Sequence, residues 1–371
     1  MSNTFGKIFR VTTAGESYSG YFQNKKGGLI TIIDGIMPGI EITPDIITYE
    51  LEKRKTNTSF LTTTRNEKDE VIIFCGIMEN NMTTGAPLGI LVLNNDTKDS
   101  QVKKHRNFKD ILKPGHANYT YYKKYGEYMD WLGGGRSSGR ETVSRVVAGA
   151  VAKKILDTMG IDVIAYTVES HGIKAKYITY EEALKNYRKN IINCPDLEAA
   201  KKMIDDLKIV KSNNDSCGGI IEIIVKGVMP GLGQPVFDKM DAILAHALFS
   251  IGSVKGVEFG AGFDSSKMLG SKSNDKPCVL NNKIVFDTNN SGGILGGITT
   301  GEEIRIRVSI KPTPTISKPQ QTINMKTLEN MEVLFDTRND VSICSRIYPV
   351  CEAMVRLCIL DAILQNRSTK L

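Results

Sequence analysis

A glycine- and arginine-rich stretch, Gly133-Gly-Gly-Arg-Ser-Ser-Gly-Arg-Glu-Thr142, offers the clearest chemistry in the sequence. It leads into a segment with one apolar face, which we predict as a helix from Arg140 to Met159. The free N–H groups and positive dipole end of a helix N-terminus attract anions, and Arg136 and Arg140 add charge-assisted hydrogen bonds. The P-loop and dinucleotide-binding spacings are absent from this stretch. It therefore predicts a site for phosphate or carboxylate, with a serine-capped tight turn as the alternative.

A second glycine-rich stretch, Thr288 to Gly301, leads through a predicted strand, Glu303 to Ile310, into Lys311-Pro-Thr-Pro-Thr315. Backbone donors, hydroxyls and one lysine suit a phosphorylated, planar cofactor. A series of β-turns with no ligand is an equally good interpretation of this stretch alone.

Four histidines are present, and His116 is the candidate for acid–base chemistry. It follows a Pro-Gly turn beside Lys113, which would place a titratable imidazole near a bound anion; an exposed turn histidine is the alternative. We expect His246 in a core helix, His105 exposed in a lysine-rich loop, and His171 in a surface turn.

A carboxylate flanked by arginines forms a third candidate cluster. The run Asp336-Thr-Arg-Asn-Asp340 is followed by Arg346 just before the last predicted helix. The cluster suits either a ligand site or a structural ion-pair network.

An internal repeat indicates how these segments are positioned. Residues Gly27 to Gly39 resemble Gly218 to Gly231, and each copy is an apolar β-rich run closed by Pro-Gly. Each copy leads into a predicted helix, Asp45 to Lys55 or Val236 to Ser250. We predict a duplicated β-turn-α unit within a single domain spanning residues 1–371, with chance similarity as the alternative.

The remaining elements complete a mixed architecture. Further strands are predicted at Val71 to Met78, Gly89 to Leu93, Asp162 to Val168 and Val254 to Phe259, and helices at Pro349 to Gln365 and across residues 180–210. Antiparallel strands combined with buried helices predict an α+β fold.

Composition narrows the class of protein. Hydrophobic residues make up 41% and charged residues 24%, as in globular proteins. Neither a signal peptide nor a membrane span is apparent, so we expect a cytoplasmic protein. The seven cysteines lack metal-ligand spacing, which predicts free, mostly packed thiols and no metal. The formal net charge of +7 fits a small anionic ligand better than nucleic acid, although Tyr119 to Tyr125 could stack on bases.

Taken in order along the chain, these segments resemble the motifs of the chorismate synthase family. The family's blocks are matched here by Gly15-Glu-Ser-Tyr-Ser-Gly20, Asp34-Gly-Ile-Met-Pro-Gly39, Thr83-Thr-Gly-Ala-Pro87, Lys113 to Asn118, residues 133–142, Val254 to Glu258, the Gly-Gly-Ile-Leu-Gly-Gly loop, the Lys-Pro-Thr stretch and the Arg-x-Asp element.

The resemblance implies a homotetramer of single-domain α+β sandwiches with helices between two antiparallel sheets. It also implies 1,4-elimination of phosphate from 5-enolpyruvylshikimate 3-phosphate to chorismate, with reduced FMN and an external flavin reductase or NADPH as electron source. By the same resemblance, FMN would contact Arg136, Ser137, Ser138, Gly252, Ser253, Gly296, Lys311, Pro312, Thr313, Pro314, Thr315 and Arg338. The substrate's anionic groups would contact Arg54, Lys113, Arg140 and Arg346, with Arg338 close by. His116, Asp340 and Tyr18 would be the catalytic residues.

Several positions depart from the family pattern. Tyr18 stands at a histidine position and Phe60 at an arginine position, while Lys113, Asn118 and Asn339 replace arginine, aspartate and histidine. A phenol, with an ordinary pKa of about 10, donates hydrogen bonds but carries protons poorly near neutrality. The alternative function is therefore a flavin- or phosphate-binding relative with reduced or lost elimination activity.

Overall fold

The computed structural model describes residues 3–21, 27–55, 59–62, 69–95, 99–335 and 340–369. Within them, the strands are β1 (Thr4–Phe5), β2 (Arg10–Ala14), β3 (Gly28–Asp34), β4 (Val71–Cys75), β5 (Leu88–Leu93), β6 (Asp162–Ser170), β7 (Ile173–Lys174), β8 (Gly219–Lys226), β9 (Val254–Phe259), β10 (Pro277–Leu280), β11 (Lys283–Phe286), β12 (Ile294–Leu295), β13 (Ile298–Thr299), β14 (Ile304–Ile310), β15 (Gln320–Ile323) and β16 (Asn330–Val333). The helices are α1 (Pro44–Glu52), α2 (Asp99–Asn107), α3 (Asn118–Tyr125), α4 (Thr142–Asp157), α5 (Tyr180–Asn186), α6 (Leu197–Ser212), α7 (Met240–Phe249), α8 (Gly270–Ser273) and α9 (Cys344–Thr369).

Two five-stranded antiparallel sheets dominate the described part of the chain. The first has the strand order β1-β2-β3-β5-β4 and the second β7-β6-β8-β14-β9. Apolar side chains alternate along the strands, because successive residues point to opposite faces. The predicted mixture of helices with antiparallel sheets is confirmed.

Two long helices connect the sheets through the main hydrophobic core. Helix α4 packs against β3 of the first sheet, and α9 packs against β6 and β8 of the second. The two helices also pack on each other, and at Gly149 they approach so closely that an added Cβ would lie 2.4 Å from the Cβ of Ala353. Glycine is therefore required there for the helices to bury their apolar faces.

The two similar sequence segments occupy corresponding places. Strand β3 is the middle strand of the first sheet and β8 is the middle strand of the second. A Pro-Gly turn follows each strand, and the methionine carbonyl of that turn accepts a hydrogen bond from a distant threonine hydroxyl. Thr83 donates to Met37 at 2.6 Å, and Thr299 donates to Met229 at 2.8 Å. Each hydroxyl also accepts a hydrogen bond from a backbone N–H just after its turn.

The last helix begins earlier than predicted, because Pro349 lies inside α9 and does not open it. Proline cannot donate to the carbonyl four residues before it, which here belongs to Ser345. That carbonyl accepts instead from Asn193 Nδ2 at 3.3 Å. A side chain from outside the helix thus satisfies the acceptor that proline leaves free.

The remaining local predictions concern the helical region at residues 180–210 and the positions of two histidines. Residues 180–210 form two helices, because Thr179 and Asp196 each cap a separate N-terminus. His246 is exposed and stacks on Phe5 at 6.1 Å between ring centroids, so its predicted core position is wrong. His171 lies in an exposed turn, as predicted.

None of the described helices combines the length and apolar character needed to cross a bilayer.

Candidate active site

The predicted anion-binding loop has a backbone that only glycine adopts easily. Gly133, Gly134 and Gly135 have φ angles of 64°, 85° and 50°, in the left-handed region where a Cβ is strained. The loop then tightens into short 3-10 turns, and the Ser138 side chain accepts a hydrogen bond from the N–H of Arg140. This arrangement carries the chain directly into the N-terminus of α4.

Three side chains pack against the bare backbone of these glycines. A Cβ at Gly133 would lie 2.5 Å from Tyr18 Cε2, and one at Gly135 would lie 2.7 Å from Asp130 Oδ2. A Cβ at Gly134 would lie 3.5 Å from Nε2 of His116. Tyr18 and His116 therefore pack on consecutive glycines of the loop, Gly133 and Gly134.

Gly133→Ala is expected to destabilise the protein, whereas Gly139→Ala is not. At Gly133 the new methyl group combines a strained φ with a clash against Tyr18, at a cost of about 1–3 kcal/mol. At Gly139, in the same loop, nothing lies within 4 Å of an added Cβ. Urea unfolding of the two variants checks the difference, and equal stabilities would contradict the positions assigned to the loop and to Tyr18.

The loop faces a cavity of about 1180 Å³ that gathers most of the predicted site residues. Its walls carry the predicted cofactor residues Arg136, Ser137, Ser138, Gly252, Ser253, Lys311, Thr313, Pro314 and Thr315. They also carry Tyr18, Arg54, His116, Arg140, Asp340 and Arg346. Basic side chains outnumber acidic ones along these walls, as binding of an anion requires.

Three predicted site residues that the structure describes do not line the cavity. Gly296 lies in the turn between β12 and β13, and Pro312 does not reach the cavity surface. Lys113 does not line the cavity either, although its charge acts on the imidazole of His116. Arg338 lies outside the described residues, as does Asn339.

His116 is half-buried and feels the charges of two lysines. Burial, followed by the charges of Lys113 and Lys311, lowers the pKa of His116 from 6.5 to about 4. Its backbone N–H donates to the Lys113 carbonyl at 3.0 Å, and Nδ1 has no hydrogen-bond partner among the described residues. The imidazole is therefore neutral at pH 7 in the ligand-free protein and has a nitrogen that can still accept or donate.

Two arginines converge at the start of α4. Arg54 donates from Nη2 to the Gly139 carbonyl and to Thr142 Oγ1, both at 2.9 Å. Arg140 donates from Nη1 to Asp69 at 2.6 Å, from Nε to Asn94 at 3.2 Å and from Nη2 to a backbone carbonyl at 3.2 Å. Both guanidinium groups are thus held in fixed orientations at the cavity wall.

The predicted cluster of a carboxylate with arginine also forms. Arg346 Nη1 donates to Asp340 Oδ2 at 2.6 Å, and Arg346 Nε donates to the Arg54 carbonyl at 3.2 Å. Asp340 is buried, and Arg346 is its ion-pair partner at the cavity wall. Arg346 thereby fixes both Asp340 and the backbone that carries Arg54.

Sequence reasoning missed several residues of the cavity. Asp69 and Asn94, which orient Arg140, lie on segments without a recognisable motif. His105, expected in an exposed loop, is half-buried in α2 and lines the cavity. The spacing of Val102 and His105, three residues apart on one helix face, was the available signal. Phe60 does not line the cavity and packs beside a separate hydrophobic cluster.

Comparison with known proteins shows the family of the chain. The family model described as chorismate synthase matches residues 9–364. Chorismate synthase of Acetivibrio thermocellus is 58% identical over 98% of this chain and 95% of that protein, and chorismate synthase of Methanococcoides burtonii is 44% identical over 98% and 96%. A crystal structure of chorismate synthase superposes with a TM-score of 0.75 and 26% identity, covering 98% of this chain and 93% of that chain. The chain belongs to the chorismate synthase family.

Proposed function

We propose that the chain catalyses its family's reaction, the 1,4-elimination of phosphate from 5-enolpyruvylshikimate 3-phosphate to give chorismate. The observation that carries this proposal is the cavity that Arg54, Arg140 and Arg346 line together with the imidazole of His116. Loss of a phosphate dianion requires cations where negative charge develops, and these arginines are already oriented. The alternative, a relative without elimination activity, rests on Tyr18 in place of a histidine.

The substrate carries one phosphate and two carboxylates, and the arginines match these groups. Arginine binds such anions through paired N–H donors in a plane. Arg54 is fixed at the N-terminus of α4, and Arg346 is fixed from the side of α9, so the two approach a ligand from different elements. We assign both, with Arg140, to the substrate's anionic groups. Lys113, which does not line the cavity, would act on these groups through its charge alone.

Reduced FMN is the proposed cofactor, and the residues present fit it. Among the described residues, the buried hydroxyl of Thr313 has no hydrogen-bond partner, and Thr313 lines the cavity. Gly252 has nothing within 4 Å of an added Cβ, which leaves room beside its backbone. Arg136, the serines of the glycine loop, Ser253 and residues 311–315 would bind the cofactor's phosphate and ring. When bound, reduced FMN supplies the electron-rich ring that the elimination needs.

The chain's own residues would manage charge and protons. A dianionic ligand beside His116 opposes the two lysines and raises the imidazole pKa, so His116 takes up a proton as the ligand binds. The imidazolium then donates a hydrogen bond to the leaving phosphate or to the cofactor. Tyr18 would donate a second hydrogen bond, and Asp340, oriented by Arg346, would stabilise the group that accepts the substrate's proton.

Tyr18→His is expected to retain activity and to change its pH dependence. The histidine would fit where the larger phenol fits, and it would add a group that exchanges protons near neutrality. We expect turnover at pH 7 to lie within about threefold of the parent value or above it. Loss of a proton-transfer role would lower turnover by far more than about threefold. The ratio of kcat values between pH 6 and 8 checks it, and a hundredfold loss would contradict the proposed role of Tyr18.

The decisive assay is release of chorismate and phosphate under anaerobic conditions with chemically reduced FMN. Product formation at enzymatic rates supports the synthase and shows that Tyr18 and Phe60 are compatible with turnover. Tight FMN binding without product supports the alternative, a flavin-binding relative without elimination activity. Omission of the reductant separates the two from background phosphatase activity, since only the elimination depends on reduced flavin.

Finer features of the assembly also remain proposals. We infer that the two sheets and the helices α4 and α9 form one sandwich domain built from two duplicated units, supported by the matching threonine contacts of the two Pro-Gly turns. We propose a homotetramer by analogy with the family, and size-exclusion chromatography with light scattering tests it. Flavin reduction by an external reductase or by NADPH is tested by adding NADPH alone to the anaerobic assay.

A further inference from the structure

Helix α2 places a second histidine at the active-site cavity. Val102 is buried, and His105 lies three residues later on the same helix face, which turns the imidazole inward. Lys103 and Arg106 lie on the exposed face of the same helix. His105 lines the cavity together with His116, although the two come from separate elements.

The ring of His105 contacts Tyr18 directly. Their centroids are 5.7 Å apart with an interplanar angle of 78°, an edge-to-face geometry typical of favourable aromatic pairs. Tyr18 also packs against Gly133 of the anion-binding loop. Tyr18 therefore contacts both His105 and the loop, and its position depends on both.

Tyrosine and histidine bring different properties to this contact. A phenol donates a hydrogen bond to an anion but ordinarily stays neutral below pH 10. Histidine is the side chain that ordinarily gains a positive charge just below neutrality. A cation beside a hydrogen-bond donor strengthens the bond that the donor makes to an anion.

We propose that His105 is a positioning residue of the active site, which holds Tyr18 against the glycine loop and, when protonated, strengthens the hydrogen bond from Tyr18 to the anionic ligand. The inference rests on the proposed function, because it needs an anion in the cavity. It gives the pair of Tyr18 and His105 a role beside that of His116, whose imidazole lines the same cavity. The charged and titratable groups that share this end of the cavity come from the segment after β2, from α2, from the turn before α3 and from the glycine loop: Glu16, Tyr18, Lys104, His116, Asp130 and Arg136.

The test compares pH profiles of kcat/KM for 5-enolpyruvylshikimate 3-phosphate, measured with reduced FMN from pH 5.5 to 8.5. His105→Phe keeps an aromatic ring against Tyr18 but cannot be protonated, so we expect a loss on the order of 10-fold at pH 6 and a smaller loss at pH 8. His105→Gln, which keeps polar atoms without a charge, is expected to show the same profile. Lys103→Ala, which removes a charge from the exposed face of α2, is the control and is expected to keep the parent profile.

A double-mutant cycle shows whether His105 acts through Tyr18. Tyr18→Phe removes the hydroxyl, and in that background His105→Phe is expected to change kcat/KM by less than twofold at pH 6. A full additional 10-fold loss would mean that His105 acts on the ligand without Tyr18. A parent-like profile in both His105 variants would overturn the proposal outright.

These outcomes are separable from failure of the proposed function. Turnover by the parent establishes the function before any variant is compared. If the parent makes no chorismate, the proposed function fails, and calorimetric binding of 5-enolpyruvylshikimate 3-phosphate at pH 6 and 8 then tests His105 alone. In that case, a pH dependence of Kd that His105→Phe leaves unchanged counts against the proposal.

Discussion

His116→Gln is expected to lower turnover by about 10²- to 10⁴-fold, the range that positioned acid–base groups contribute. Glutamine keeps hydrogen-bonding capacity in the same pocket but cannot be protonated. Binding of 5-enolpyruvylshikimate 3-phosphate should weaken much less than turnover, because Arg54 and Arg346 remain in place. Single-turnover kinetics with reduced FMN, alongside calorimetric Kd values, checks this division.

The sign of the pH effect follows from the environment of His116. Burial and two lysines lower its pKa to about 4, so the ligand-free imidazole is neutral above that pH. A bound dianion raises the pKa, and the complex therefore takes up a proton between about pH 4 and 7. Calorimetry in two buffers with different ionisation enthalpies should show this uptake in the parent. The uptake should be smaller in His116→Gln.

The lowered pKa of His116 also predicts how the free energy of unfolding depends on pH. Between about pH 4 and 6.5 the unfolded chain binds a proton at His116 that the folded chain does not. The contribution of this group to folding stability is therefore fully present above pH 6.5 and is lost as the pH falls toward 4. His116→Gln should flatten that part of the stability profile in urea unfolding.

His171→Gln provides the matched control. His171 is exposed in a turn, and its Nδ1 lies 2.9 Å from Asp206 Oδ2. No role in the site is predicted for it. This variant should retain parent turnover and parent proton uptake. Equal turnover in His116→Gln and in the parent would remove His116 from the proton chemistry.

Motifs in the sequence predicted those parts of the site that depend on local backbone geometry. The glycine run at 133–135 predicted a loop feeding a helix, and the structure shows left-handed φ angles there that few other residues adopt. Strand β9 has the predicted bounds, since its alternation and turn signals are local. His116 was found from a Pro-Gly turn and a neighbouring lysine, which together place an imidazole at a loop tip.

The remaining features depend on contacts between distant segments. The pairing of Asp69 with Arg140 joins residues 71 positions apart, and no local pattern encodes it. His105 seemed exposed because lysines surround it in sequence, yet helical periodicity turns it inward from them. Pro349 seemed to open a helix, but Asn193, more than a hundred residues away, satisfies the carbonyl that allows the helix to begin earlier.

Arg140→Gln is expected to weaken substrate binding by about 100-fold and to destabilise the protein by about 2 kcal/mol. The binding loss reflects a charge-assisted contact, since Arg140 lies on the cavity wall just before the N-terminus of α4. The stability loss has a different cause. The carboxylate of Asp69 is largely buried, and the substitution removes its ion-pair partner. KM and Kd for 5-enolpyruvylshikimate 3-phosphate and urea unfolding measure the two losses separately.

A second substitution separates the two roles of Arg140. Asp69→Asn combined with Arg140→Gln removes the stranded charge, so the double variant should regain most of the stability while its substrate affinity stays low. Arg106→Gln, which removes the same charge from the exposed face of α2, should change neither quantity by more than about 0.5 kcal/mol. If affinity returned together with stability in the double variant, Arg140 would be a structural residue, and the substrate's anionic groups would have to be bound by Arg54 and Arg346 alone. If stability alone returned, the ion pair with Asp69 would be the device that holds Arg140 in its binding orientation until the substrate arrives.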